Sequence, residues 1–233
     1  MMYSSPTLIR IRNFTRKLGL NKLIGRVLSG NGYEDKFGSA IFAQVRSGDC
    51  VWDVGANVGL YTTQFSARLC GNGKVIAFEP VPACFKELQE RTINITTISP
   101  VNVAVGAEDG ELTMVLDDED LAATHRVVSH GAFPSDSESC TVTVRSAASL
   151  VEEHQEWFPN VMKIDVEGYE GAVFDGVEAL LTDRRLRCIG IEVHFGLLEE
   201  RGEMDRPQLF EQSLKKKGFN VRWTDSSHLI AVR

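Results

Sequence analysis

The strongest constraint on how this chain can fold is an alternation of two hydrophobic rhythms. Short, almost continuous apolar runs occur at 50–54, 75–78, 101–105, 161–166 and 188–193, and helical patterns cover 60–69, 82–93, 150–157, 171–181 and 207–217 between them. A strand that is apolar on both sides needs cover on both faces, and interleaved helices provide it. The alternation therefore predicts an α/β fold built on a mostly parallel sheet. Segments 111–116 and 141–145 depart from the rhythm and read as an extra antiparallel hairpin, joined by the polar stretch 117–139. A loop of that length inside a compact domain points to function or movement. At the C-terminus, 219–224 and 228–232 are separated only by Asp225-Ser226-Ser227, which reads as a hairpin closing the sheet. No repeat or linker divides 33–233, so a single domain is expected there, with residues 1–32 as a separate arm.

Charge separates the same two parts. Residues 1–33 carry six basic side chains (Arg10, Arg12, Arg16, Lys17, Lys22 and Arg26) and no acidic one, so the net charge of −7 for the whole leaves −13 on the rest. An acidic body argues against a general nucleic-acid binder, whose affinity for phosphates comes from Lys and Arg. In the arm, Leu8, Ile11, Phe14, Leu18, Leu23, Ile24, Val27 and Leu28 recur at helical spacing between the basic residues. This predicts one or two amphipathic helices that either cap the domain or contact an anionic membrane surface. No run approaches ~18 apolar residues, so no transmembrane helix is expected, and the start of the chain lacks a signal-peptide pattern, which predicts a cytoplasmic protein. The five cysteines are scattered without a C-x-x-C pair and read as reduced core thiols.

The sharpest chemical signal is Asp53-Val54-Gly55-Ala56-Asn57-Val58-Gly59, placed after one strand and before a helix. Glycines in the first strand-to-helix turn of a doubly wound sheet let the backbone approach a nucleotide-like ligand, with amide groups pointing outward. The dinucleotide pattern G-x-G-x-x-G is not met, since Asn57 and Leu60 stand at its second and third glycine positions. About twenty residues on, Glu79 ends the second strand, where a carboxylate can accept both hydroxyls of a ribose. A Glu before Pro80 can instead cap the following helix; the joint spacing with the glycine turn favours the ribose.

Further along, Lys163, Asp165 and Glu167 recur at every second position and so share one face at the C-terminal edge of a strand otherwise expected to be buried. Glu192 and His194 do the same on the next strand. If the two strands are neighbours, Lys163 and Glu192 can neutralise each other while Asp165 and His194 reach the pocket mouth. A structural ion-pair network is the competing reading.

Taken in order, Asp53-Val54-Gly55-Ala56-Asn57-Val58-Gly59, Phe78-Glu79-Pro80, Asn102-Val103-Ala104-Val105, Lys163-Ile164-Asp165-Val166-Glu167-Gly168-Tyr169-Glu170 and Glu192-Val193-His194 resemble the FkbM-type S-adenosylmethionine-dependent methyltransferases, over Tyr33 to the C-terminus. The resemblance implies a Rossmann-like class I methyltransferase fold, with a seven-stranded sheet whose last strand inserts antiparallel. It implies O-methylation of a sugar, glycan, lipid-linked or polyketide acceptor. By position, Asp53, Gly55, Ala56, Asn57 and Gly59 would line the methionine part of the cofactor and Glu79 would hold the ribose. Pro80 and Val81 would flank the adenine, Asn102 and Ala104 would meet its edge, and Asp165 would face the cofactor's amino group or the acceptor.

Methyl transfer from a sulfonium needs a nucleophile aligned within about 3–3.5 Å of the methyl carbon, and a sugar hydroxyl needs help to lose its proton. His194 is the expected base, with Glu167 and Asp165 positioning the acceptor, and Glu167 or Asp165 is the alternative base. A Mg²⁺ or Ca²⁺ on Asp165, Glu192 and the acidic run 117–120 is considered and not favoured, because such loop runs are usually solvated surface. His125 and His130 in the same loop are further candidates for orienting an acceptor. Two rivals share the fold: a nicotinamide-dependent oxidoreductase, which would need the missing glycines, and a catalytically inactive nucleotide-binding module, which would not need the charged strand ends.

Overall fold

A computed structural model describes residues 33–115, 126–127 and 139–233. The amphipathic arm, the acidic run 117–120, His125 and His130 lie outside the described residues.

The chain runs α1 (Tyr33–Phe42), β1 (Cys50–Val54), α2 (Leu60–Arg68), β2 (Lys74–Phe78), α3 (Pro82–Thr92), β3 (Ile98–Val101), β4 (Ala104–Gly106), β5 (Gly110–Val115), β6 (Arg126–Val127), β7 (Ser139–Ser146), α4 (Ala147–Glu153), β8 (Val161–Ile164), α5 (Glu170–Val177), β9 (Cys188–Glu192), α6 (Phe195–Glu200), α7 (Arg206–Lys216), β10 (Asn220–Trp223) and β11 (His228–Val232), with 3₁₀ turns at Gln155–Trp157 and Glu178–Thr182. Seven strands form one sheet in the order β10-β11-β9-β8-β1-β2-β3. The five strands from β9 to β3 are parallel, and β11 inserts antiparallel between β9 and β10. The expected C-terminal hairpin is therefore present.

Alternation along each strand sends side chains into two cores. Trp52, Val54, Ile76, Phe78, Met162, Ile164, Ile189 and Ile191 pack with Val173 and Phe174 of α5 and Phe210 and Leu214 of α7. Val51, Val75, Ala77, Val161 and Cys188 pack on the opposite face with Phe37 and Ile41 of α1, Phe65 of α2 and Leu88 of α3. Burial on both faces is why the central strands read as unbroken apolar runs. The cysteines are reduced, and Cys50, Cys84 and Cys188 are buried as expected, but Cys70 is exposed and Cys140 half-buried, so these two are not core thiols.

The expected hairpin of 111–116 and 141–145 is β5 paired antiparallel with β7, and it belongs to a second sheet in the order β4-β7-β5-β6. One expectation is corrected here: 101–105 is not one strand. Val101 ends β3 in the main sheet and Ala104 begins β4 in the second. A tight turn separates them, closed by the Val103 N–H donating to the Val101 carbonyl at 3.0 Å. The Asn102 amide donates to the carbonyls of Glu79 (2.8 Å) and Pro80 (3.0 Å), tying the departure point to the end of β2. Local polar bonding thus overrides an apolar run.

Candidate active site

Among the described residues, Asp53, Glu79, Lys163, Asp165, Glu167 and Glu192 all lie at the C-terminal edge of the parallel strands, where the strand order reverses direction and ligands bind in open α/β sheets. The turn after β1 is built by hydrogen bonds to its neighbour: the N–H groups of Gly55 and Ala56 both donate to the Phe78 carbonyl at 3.0 Å. Gly55 has φ +77°, and a Cβ there would lie 1.8 Å from the Asp165 carbonyl oxygen. Asn57 takes a left-handed conformation (φ 48°) and its N–H donates to Glu79 Oε2 at 2.8 Å. Gly59, at φ +88°, starts α2 where a Cβ would come within 2.7 Å of Leu88.

Glu79 is almost fully buried, and its Oε1 accepts the Val81 N–H at 2.9 Å at the start of α3. Burial pushes its carboxyl up to about 7, against the two backbone hydrogen bonds that favour the charge. Each oxygen keeps a lone pair for a further donor. The helix-capping role weighed from sequence and a ligand-holding role are therefore compatible in one side chain.

A pocket opens beside this turn, lined by Gly55, Asn57, Glu79, Pro80, Val81, Ala104, Asp165 and Glu167, together with Phe78, Cys84, Val103, Leu112 and Met114. Sequence reasoning missed Cys84, Leu112 and Met114. They arrive from α3 and from the second sheet, and no local motif marks them. Asp53, Ala56, Gly59, Asn102 and His194 do not line this pocket. Ala56 lines a second cleft between α1, α2 and α3, with Phe42, Tyr61, Gln64, Arg68, Arg91 and Lys163. The two clefts share Gly55, Asn57 and Asp165.

Asp53 sits behind the turn with no exposure. Its Oδ2 accepts the Thr62 hydroxyl at 2.6 Å, and Lys163 Nζ is 3.3 Å from its Oδ1. The ammonium also donates to the Gly55 carbonyl (3.1 Å) and meets Asp165 Oδ2 at 3.2 Å. Burial alone would lower the Lys163 pKa, but Asp165 and Asp53 outweigh it and keep the ammonium charged. The expected Lys163–Glu192 pair does not form. The register sets Lys163 opposite Asp53 on β1 and Gly190 on β9, so Glu192 lies farther along the strand. Glu192 instead meets Nε2 of buried His228 at 3.2 Å, its cross-strand partner on β11.

Beyond β8 the chain turns sharply, with Glu167 at φ 46°, and brings three side chains to His194. Glu167 Oε2 is 3.2 Å from His194 Nε2, while Asp165 Oδ1 and Glu192 Oε1 are each 3.9 Å from it. On the other side of the ring, Nδ1 lies 2.5 Å from Oε1 of Glu170, a fully buried carboxylate at the start of α5. Burial alone would lower the His194 pKa, but Glu170 and the neighbouring acids carry it up to about 9. Burial raises the Glu167 carboxyl. Asp165 is held low by Lys163 and His194 against its own burial. Glu170 was quoted from the sequence only as part of a motif, and its role in gripping His194 depends on packing that a sequence pattern does not contain.

A parallel sheet with an antiparallel insertion at one edge, and a glycine turn and acidic strand end at its C-terminal edge, is the Rossmann-like class I methyltransferase architecture. The methyltransferase FkbM domain model matches residues 53–221, and the chain belongs to that family. It is 26% identical over 196 residues to the hexuronic acid methyltransferase AglP of Haloferax volcanii, covering 83% of this chain and 76% of the relative. A crystal structure of methyltransferase FkbM from Methylobacillus flagellatus superposes with a TM-score of 0.54 at 14% identity. That match covers 81% of this chain and only 44% of the longer protein. Among the described residues, no helix is long and apolar enough to cross a membrane.

Proposed function

We propose that this protein transfers the methyl group of S-adenosylmethionine to a hydroxyl of a sugar or glycan acceptor. The observation that carries the reading is the convergence of the glycine turn, Glu79, Asp165 and Glu167 on one pocket whose remaining wall is mostly apolar. These residues fit the cofactor's parts. Glu79 has lone pairs to spare for the ribose hydroxyls, and Val81, Cys84, Val103, Leu112 and Met114 offer a flat apolar slot for a purine. Asp165 offers a carboxylate to an ammonium. Asp53 supports the site from behind by fixing Lys163, which in turn holds the Gly55 carbonyl.

When bound, the cofactor supplies an electrophilic methyl carbon on a sulfonium. The chain supplies alignment, exclusion of water, and the acidic group Asp165–Glu167–His194 that receives the acceptor. The acceptor enters through the second cleft, which meets the first at Gly55, Asn57 and Asp165. Arg68 and Arg91 line that cleft, Arg91 paired there with Glu87, while Lys163 is held between Asp53 and Asp165; the class of acceptor is supported by the hexuronic acid methyltransferase relative. The charged strand ends speak against an inactive module.

Calorimetric titration with S-adenosylmethionine, S-adenosylhomocysteine and NADH tests the reading. The first two are expected to bind and NADH is not; binding of NADH alone would sink it. Incubation with isotope-labelled cofactor and a panel of glycans, read by mass spectrometry, then identifies the acceptor.

A further inference from the structure

Around His194 the charges are arranged in a way that one proton does not satisfy. Glu170 is an acceptor at Nδ1, so that nitrogen carries the ring proton and Nε2 faces outward. Three carboxylate oxygens surround Nε2: Glu167 Oε2 at 3.2 Å, with Asp165 Oδ1 and Glu192 Oε1 at 3.9 Å. A second proton on Nε2 would serve Glu167, but the two oxygens at 3.9 Å are beyond hydrogen-bond reach. The donor atoms of Asp165, Glu167 and His194 all lie within 4.8 Å of one another. Ligands of one ion at about 2.1–2.2 Å stand roughly 3–4.3 Å apart.

A second observation points the same way. Glu170 is fully buried, and its Oε2 has no hydrogen-bond partner. A carboxylate kept there at the cost of desolvation, with its other oxygen on a histidine Nδ1, is the arrangement that orients metal-ligating imidazoles.

We infer that Asp165 Oδ1, Glu167 Oε2 and His194 Nε2 form a divalent-cation site at the mouth of the pocket. One imidazole nitrogen with two carboxylate oxygens suits an ion of intermediate hardness such as Mn²⁺ better than Ca²⁺, which prefers an all-oxygen shell. Three protein ligands would leave further coordination positions for sugar oxygens, and Asp165 and Glu167 both line the pocket, Asp165 also lining the second cleft. This purpose rests on the methyltransferase reading, whereas the binding of the ion does not.

The test is Mn²⁺ titration of the EDTA-stripped full chain, followed by electron paramagnetic resonance, with spin-echo detection of imidazole nitrogen coupling. One Mn²⁺ per chain is expected, with ¹⁴N coupling that disappears in His194→Ala. His194→Ala and Glu167→Gln should each weaken binding at least tenfold, and Glu170→Gln should weaken it less. A distant surface variant, Glu153→Gln, should bind as the parent does. Absence of binding, or binding that both His194→Ala and Glu167→Gln leave unchanged, overturns the site, and the parent chain alone decides the first of these if a variant fails to fold. Titrating S-adenosylmethionine into the same samples separates the two readings. Cofactor binding without Mn²⁺ removes only the cation site; Mn²⁺ binding without cofactor upholds it and removes the methyltransferase reading.

Discussion

At Glu79, burial and backbone hydrogen bonding oppose each other, and burial wins, placing the carboxyl near 7. The ionised form is the better acceptor for two ribose hydroxyls, so affinity for S-adenosylmethionine should fall several-fold as pH drops from 8 to 6. Glu79→Gln should bind weakly with little pH dependence, which calorimetry across that range would show. With its pKa carried up to about 9, the His194 ring takes a proton from the acceptor only as pH rises toward 9, so turnover should climb over that range and His194→Ala should reduce it there by about 10²–10⁴-fold, the range for losing a group that assists proton removal, with cofactor affinity within a few-fold of the parent. Equal turnover in that variant would remove His194 from the chemistry. Glu79 and His194 were both legible in the sequence because their positions at strand ends follow from chain order. Glu170 was not legible as the partner of His194, because a buried glutamate in the first turn of a helix looks the same in sequence as an exposed one.

The β1–α2 turn carries the site because it has no room for a side chain at Gly55. Gly55→Ala requires a left-handed alanine and a displaced Asp165 carbonyl, so we expect a stability loss of at least about 1–2 kcal/mol and loss of cofactor binding, checked by denaturant unfolding and calorimetry. At the same edge of the sheet, the β10–β11 hairpin is closed by His228, with Asp225 Oδ1 2.9 Å from Nδ1 and Phe37 stacked on the ring at 4.5 Å. Burial would lower the His228 pKa, but Asp225 and Glu192 raise it from 6.5 to about 9. Burial would raise the Asp225 pKa, but His228 and backbone N–H groups lower it from 3.8 to about 2. The native state therefore holds the histidine proton more tightly than the unfolded chain does. Its stabilising share is full below pH 6.5 and is lost as pH rises through 9, while the Asp225 share is present above pH 3.8 and is lost as pH falls through 2. His194, also raised to about 9, loses its share over the same range, so thermal melts should show a decline between pH 6.5 and 9 that His228→Asn reduces and does not remove. The hairpin itself was legible from two short strands around Asp225-Ser226-Ser227, but the break at Asn102 was not, since nothing in an apolar run shows that an amide will bond backward to Glu79 and Pro80.

At the scale of the molecule, charge is sorted by function. Asp53, Glu79, Asp165, Glu167, Glu170 and Glu192 gather at one edge of the sheet, while the six basic residues of the first 33 lie in an arm that carries no cofactor motif. The arm's amphipathic spacing suits either a cap on the domain or contact with an anionic surface, and vesicle binding follows from the second. In sedimentation assays with phosphatidylserine-containing vesicles, the full chain should co-sediment at low salt and lose that association at about 0.5 M salt, and removal of residues 1–32 should abolish it without changing cofactor affinity. Binding that is indifferent to salt and to truncation would rule the arm out. The second sheet shows how an insertion is put to use: β4 and β5 bring Ala104, Leu112 and Met114 to the pocket wall.

By itself the sequence determined the alternation of strands and helices apart from the break at Asn102, the placing of the glycine turn and the strand-end acids, and membership of a methyltransferase family. These depend on local periodicity and on spacing along the chain, which a linear reading contains. Only the tertiary structure decided which charges meet. Lys163 pairs with Asp53 and Asp165, Glu192 with His228, and Glu170 with His194, because strand register and helix packing set distances between residues far apart in sequence, and a shift of one or two positions exchanges every partner.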